Sequence, residues 1–203
     1  MPDYITRISG LIEKKNALGK QIFSDVMPID KVMTKEGIRF TEIPYDSRET
    51  IFEEPEDWEE FKAGGAWGKP DTHFCFKLKV RIPEIYRGKE VLFFLSTGAD
   101  DIWNTDNPQM LLYIDGIRRC GMDMNHNSVV IYEKEDWEKG RDRAVDIGIY
   151  AYSNLAENEN LLNMELAAGN EAVTRAYFDV LVLLEAAEAL LGIRKEEELP
   201  ESF

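Results

Sequence analysis

Hydrophobic positions change their spacing twice along this chain, from a helical period to alternation and back again. Near the N-terminus, Ile5, Ile8, Leu11, Ile12, Leu18 and Ile22 recur three or four residues apart, with Glu13, Lys14, Lys15 and Lys20 mostly between them. That spacing predicts an amphipathic helix, and Asp3 is placed to cap it. Such a helix needs an apolar surface to lie on, either this chain's own flank or a neighbouring domain.

From Lys31 to Pro70 the pattern is irregular and rich in charge, with one short apolar stretch, Gly37–Phe40, that fits a strand. Alternation then takes over. Phe74, Phe76, Leu78, Val80 and Ile82 alternate with His73, Cys75, Lys77, Lys79 and Arg81, predicting a half-buried strand with one wet face. Pro83 ends it. Val91 to Leu95 is an unbroken apolar run, as for a strand buried on both faces. Further strands are predicted at Met110–Ile114, Ser128–Tyr132, Ala144–Tyr152 and Leu161–Ala167, with Gly and Asn at the breaks. Asp115-Gly116 between apolar segments suits a tight hairpin turn, because both residues tolerate positive φ.

The tail returns to the helical period. Ala176–Leu183 fits the end of a last strand. Leu183–Leu191 has helical propensity, and Gly192 can stop it. Many short strands without alternating helices predict a mainly β chain, an antiparallel jelly-roll sandwich with an N-terminal amphipathic helix and a C-terminal helix. The expected layout is a helical segment over residues 1–30, the sandwich over 31–178, and a helix with linker over 179–203.

Composition narrows the function classes. The 203 residues are 44% hydrophobic and 11% aromatic, enough for one packed interior. A formal net charge of −15 argues against nucleic acid and anionic membrane as partners, since phosphates are gripped by clustered Lys and Arg. No apolar run approaches the roughly 20 residues that span a bilayer, and the first residues lack the order of a signal peptide, so the expected location is cytoplasmic. Two cysteines, Cys75 and Cys120, and two histidines, His73 and His126, make neither a disulfide framework nor a Cys/His zinc site.

Candidate chemistry is sparse. Asp100, Asp101, Asp106, Asp115 and Asp123 crowd the middle of the chain, and hard cations favour oxygen ligands, but the EF-hand spacing is absent. With 39 acidic residues, no carboxylate pair stands out as the acid and base of glycoside hydrolysis. There is no nucleophile elbow and no phosphate-binding glycine loop. Sugar binding remains, since sugars are held by aromatic faces with polar groups fixing the hydroxyls. Trp67 and Trp103 fall in predicted loops with Asp71 and other polar residues nearby. A loop Trp more often packs as a lid over the open end of a core than binds a glycan, and it also suits an interdomain contact. His73 and His126 read as structural or surface hydrogen-bonding histidines.

The order of several short motifs adds to this reading. Trp67-Gly68 is followed by His73-Phe74 leading into Val80–Glu84, then by Pro108-Gln109 into Tyr113-Ile114-Asp115-Gly116, and then by Gly121 with Asp123-Met124-Asn125-His126. Over roughly residues 58–132 this resembles the N-terminal region of family 38 glycoside hydrolases, the α-mannosidases. The resemblance implies a galactose-binding-like jelly roll that is itself non-catalytic and precedes a zinc-dependent, retaining catalytic barrel. No His-x-His segment of the kind that family uses for zinc occurs here. Zinc is therefore expected in an absent catalytic domain, and no cofactor is expected in this chain.

Two roles follow as expectations. One is an ancillary domain that packs on or borders a catalytic domain and is inactive alone. The other is an autonomous module for mannose-containing glycans. In either, Trp67, Asp71, His73, Trp103, Asp123, Asn125 and His126 are the candidate sugar-facing residues. A face left bare by a missing partner would also favour homo-oligomers.

Overall fold

The computed structural model describes residues 2–98, 108–123, 126–154 and 160–191. The chain forms two compact units, residues 25–168 and a second made of residues 1–24 with 169–203.

The larger unit is built from antiparallel strands. They are β1 (Phe23–Pro28, which begins in the other unit), β2 (Met33–Ile43), β3 (Glu59–Phe61), β4 (Ala66–Trp67), β5 (Thr72–Arg81) and β6 (Val91–Ser96), then β7 (Gln109–Ile114), β8 (Ile117–Met122), β9 (Ser128–Tyr132), β10 (Ala144–Ser153), β11 (Asn160–Leu161) and β12 (Asn163–Gly169). Six of them form a sheet in the order β3-β2-β5-β10-β7-β8, and four form another in the order β1-β12-β6-β9. One apolar core fills the space between, joining Phe74, Phe76, Leu78 and Val80 of β5 to Phe93 and Leu95 of β6 and Leu166 of β12. This is the β-sandwich that the alternating pattern predicts.

Turn chemistry sets the register on the site side. Asp115 and Gly116, at φ 51° and 75°, close the β7–β8 hairpin in the primed conformation that matches strand twist. Asp115 also accepts the Asp146 N–H at 3.0 Å and pairs with Arg141, which ties the hairpin tip to β10.

The outer face of the six-stranded sheet departs from the expected wet face. His73 and Cys75 are buried: Cys75 lies in a second apolar cluster with Ile43, Ile51, Tyr113 and Tyr150, and His73 is enclosed by the rings of Tyr45, Tyr150 and Tyr152. Residues 48–52 form a short 3-10 turn, and Gly148 lets Ile51 approach: a Cβ at Gly148 would lie 3.1 Å from Ile51 Cδ1. Strand β6 also differs from expectation. Val91, Phe93 and Leu95 are buried while Leu92 and Phe94 are half-buried, so one face is in the core and the other is partly open.

A short helix, α2 (Lys134–Lys139), sits between β9 and β10 with a reciprocal Glu133/Asp136 capping box and a left-handed Gly140 at its C-terminus. Sequence periodicity misses it because it is too short to show a helical stripe.

The smaller unit pairs α1 (Pro2–Gly19) with α3 (Glu171–Leu191). The strand ending expected at 176–183 is helical instead. Asn170 accepts the Val173 N–H at 3.3 Å just ahead of α3, and the run that follows has helix-forming Ala, Leu and Glu throughout. On α3, Phe178, Val182 and Leu183 are exposed. Among the described residues no helix is long and apolar enough to cross a membrane.

Candidate functional site

An open cleft of about 740 Å³ lies within residues 25–168. Its floor is the outer face of the six-stranded sheet. Ladder register places His73 of β5, Tyr152 of β10 and Gln109 of β7 in one cross-strand row, and Cys75, Tyr150, Leu111 and Gly121 of β8 in the next. Residues in such rows share a face, so two tyrosines spaced by two on β10 both point into the site. Tyr45 and Arg48 enter from the segment that follows β2, and Asp123 and His126 from the segment after β8.

Four aromatic rings make the apolar part. The His73 imidazole stacks on Tyr150 at 5.5 Å between centroids, lies tilted to Tyr152 at 4.8 Å, and meets Tyr45 edge-on at 5.3 Å. Tyr45 is 79% exposed, an aromatic face in solvent. Polar groups are bound to this cluster. The Tyr150 hydroxyl lies 2.6 Å from His73 Nδ1, the Tyr152 hydroxyl donates to Asp71 Oδ1 at 3.0 Å, and the Arg48 guanidinium lies 5.2 Å from the Tyr150 ring centroid. At the far wall the His126 N–H donates to Asp123 Oδ1 at 2.8 Å, and the His126 imidazole lies beside the same oxygen at 3.4 Å.

Burial is the first cause of the perturbed acidities of His73, Tyr150 and Cys75. It lowers the pKa of His73, with Asp71 pulling it up and Arg48 pushing it further down. It raises Tyr150, against a side-chain hydrogen bond from Arg48. Tyr152 is raised chiefly by its hydrogen bond to Asp71. Beneath the rings, the buried Cys75 thiol is pushed up to about 12, so it stays protonated and serves packing rather than nucleophilic chemistry. The arrangement is a set of amphipathic rings bordered by fixed donors and acceptors, suited to holding a small polar ligand.

Of the residues singled out in the sequence, Asp71, His73, Asp123 and His126 all line this cleft. Trp67 does not. It is 2% exposed, packs edge-on against Phe74 and Phe76 at 5.5 and 5.3 Å, and donates from Nε1 to the Leu161 carbonyl at 3.2 Å. With both ring faces buried it is a core residue and offers no platform to a sugar. Trp103 and Asn125 lie outside the described residues. Tyr45, Arg48, Gln109, Tyr150 and Tyr152 are site residues that the sequence reading missed. The Tyr-x-Tyr spacing on β10 was the available signal for two of them.

Among the described residues, no three His, Cys, Asp or Glu side chains group to hold a metal ion.

No protein-family model matches the chain, and no curated protein matches it either. Solved structures similar to it include β-glucuronidase from Ruminococcus gnavus, at TM-score 0.47 and 10% identity over 72% of this chain and 29% of that one. The same enzyme in complex with uronic isofagomine gives TM-score 0.45 at 10% identity, over the same shares of the two chains. A putative β-galactosidase from Bacteroides fragilis gives TM-score 0.40 and 12% identity over 67% and 22%. The chain thus spans under a third of each of these structures. Its own cleft, not these likenesses, carries the functional reading.

Proposed function

We propose that this chain is a non-catalytic, sugar-recognising β-sandwich domain, ancillary to the catalytic domain of an α-mannosidase. One observation carries the reading. Asp71 and His73 from one resembling segment, and Gln109, Gly121, Asp123 and His126 from others, converge with Tyr45, Tyr150 and Tyr152 on a single aromatic and polar cleft. Rings that stack on sugar C–H faces, with Asp71, Asp123 and Gln109 beside them for hydroxyls, match the chemistry of a neutral hexose. The chain itself would hydrolyse nothing, and would act by presenting or bordering substrate.

The test is an NMR titration of the labelled chain with α-linked mannobiose. Shifts confined to Tyr45, His73, Tyr150 and Tyr152, lost in Tyr152→Ala, are the expected result. A flat titration to millimolar sugar, or turnover of an aryl α-mannoside by the purified chain, would overturn the reading.

A second reading, an autonomous module for mannose-containing glycans, is favoured by the cleft's assembly entirely from residues 25–168. Micromolar affinity in the isolated chain would select it. Millimolar affinity that tightens when a catalytic domain is added would select the ancillary role.

A further inference from the structure

We propose that Tyr150 fixes His73 in the tautomer that carries its proton on Nε2, so that His73 presents a hydrogen-bond donor to an acceptor oxygen of a neutral sugar in the cleft. The inference rests on the cleft's being a sugar site, and it assigns the specificity-determining donor within it.

The geometry begins with the 2.6 Å between the Tyr150 hydroxyl and His73 Nδ1. At that separation one proton lies between the two atoms. A phenol O–H is a better donor than an imidazole N–H, and an imidazole nitrogen is a better acceptor than a phenol oxygen. The Arg48 guanidinium lies over the Tyr150 ring, 5.2 Å from its centroid, and helps hold that ring in place beside the imidazole. Nδ1 then accepts, and a neutral ring must hold its proton on Nε2.

Nε2 has no hydrogen-bond partner among the described residues. The ring that carries it lines the cleft and is held by Tyr45, Tyr150 and Tyr152, at centroid distances of 5.3, 5.5 and 4.8 Å. A donor fixed in this way loses little conformational freedom when a ligand arrives. Its complement is a lone pair, as on a sugar hydroxyl or ring oxygen. An ammonium group would meet the N–H head-on.

Imidazole nitrogen NMR of the chain labelled at histidine reads the tautomer directly. The sequence has two histidines, so His126→Gln assigns the spectrum. At neutral pH the expected result is a proton on His73 Nε2, a bare Nδ1, and a shift of the Nε2–H signal on adding α-linked mannobiose. In Tyr150→Phe, nearly equal in volume, the two tautomers should mix, and affinity should fall by the inverse of the fraction left with the proton on Nε2, about twofold for an even mixture. A proton on Nδ1 in the native chain would overturn the inference. Mannobiose shifts at the Tyr152 ring without any at His73 Nε2 would overturn the donor role and leave the sugar cleft standing. A titration flat at every cleft residue would overturn both.

Discussion

The Asp71 carboxylate accepts the hydroxyl of Tyr152 at 3.0 Å from a backbone in the left-handed region, at φ 48°. Aspartate is among the few residues that sit there at modest cost. The Asp71 N–H is itself committed to the Asn154 carbonyl at 2.6 Å. The far end of the Tyr152 ring is therefore anchored on the start of β5, and one ring of the cleft has its orientation set by a turn in the neighbouring strand.

Replacing Asp71 with Gly tests that anchor without backbone strain, since Gly accepts positive φ freely. In Asp71→Gly the Tyr152 phenol pKa should fall toward that of an ordinary tyrosine, because its largest cause, the hydrogen bond, is gone. Mannobiose affinity should fall about tenfold. Ultraviolet titration of the phenols and the sugar titration check the two parts, and an unmoved Tyr152 pKa would deny the anchor.

Trp67 predicts the opposite division between folding and binding. Its ring is enclosed by Phe74 and Phe76 and makes no part of the cleft lining. Trp67→Ala should cost roughly 3–5 kcal/mol of stability, as large-to-small changes in a core do. Trp67→Phe should cost less and leave sugar affinity unchanged. Urea unfolding of both variants, with the titration repeated on Trp67→Phe, separates the roles. A loss of affinity in Trp67→Phe would place that ring in the site after all.

His73 should make stability depend on pH in a stated direction. Its folded pKa lies below the ordinary 6.5, first through burial and then through Arg48, with Asp71 opposing. Between 6.5 and the depressed value the unfolded chain binds more protons than the folded one, so stability rises with pH across that window. The contribution is complete above 6.5, is lost as pH falls through the folded pKa, and changes no further below it. Tyr150 and Tyr152, two of the rings in contact, are raised above the ordinary tyrosine value and stay neutral throughout. Unfolding free energies of the native chain and of His73→Gln, compared from about pH 8 to pH 5, isolate this from the many carboxylates. A constant difference across the range would refute it.

Gly121 offers a way to close the cleft without unfolding the sheet. A Cβ there would meet nothing nearer than the Met110 carbonyl oxygen at 3.8 Å, and its register partner is Leu111 on the cleft face. Gly121→Gln should leave stability within about 0.5 kcal/mol and abolish mannobiose shifts by filling the space. Retained binding would show that the ligand lies elsewhere.

The architecture was legible because alternation is a local signal. Phe74 to Ile82 announced β5, and Asp115-Gly116 announced the hairpin, since each depends only on residues close in sequence. The outer face of β5 was not legible. His73 and Cys75 look solvent-facing until Tyr45 and Ile51, from an irregular segment, pack against them, and no periodicity in residues 44–52 signals that. The site divides in the same way. Asp71, Asp123 and His126 stood out as polar turn residues, whereas Tyr45 and Arg48 join them only through long-range packing. Trp67 misled because a tryptophan beside glycine looks like a loop residue, and only the β4–β11 pairing shows it enclosed.

Strand β10 carries two separate instructions on alternate residues. Val145, Ile147, Ile149 and Ala151 belong to the interior, while Tyr150 and Tyr152 face the cleft. Rewriting Tyr152 leaves the first set untouched, whereas Tyr150 also packs in the second apolar cluster, so a new ligand preference is reached at less risk to folding through Tyr152 than through Tyr150. Arg48 has no such freedom: three residues on, Ile51 is wedged over Gly148, and any change that lifts that wedge moves the guanidinium with it.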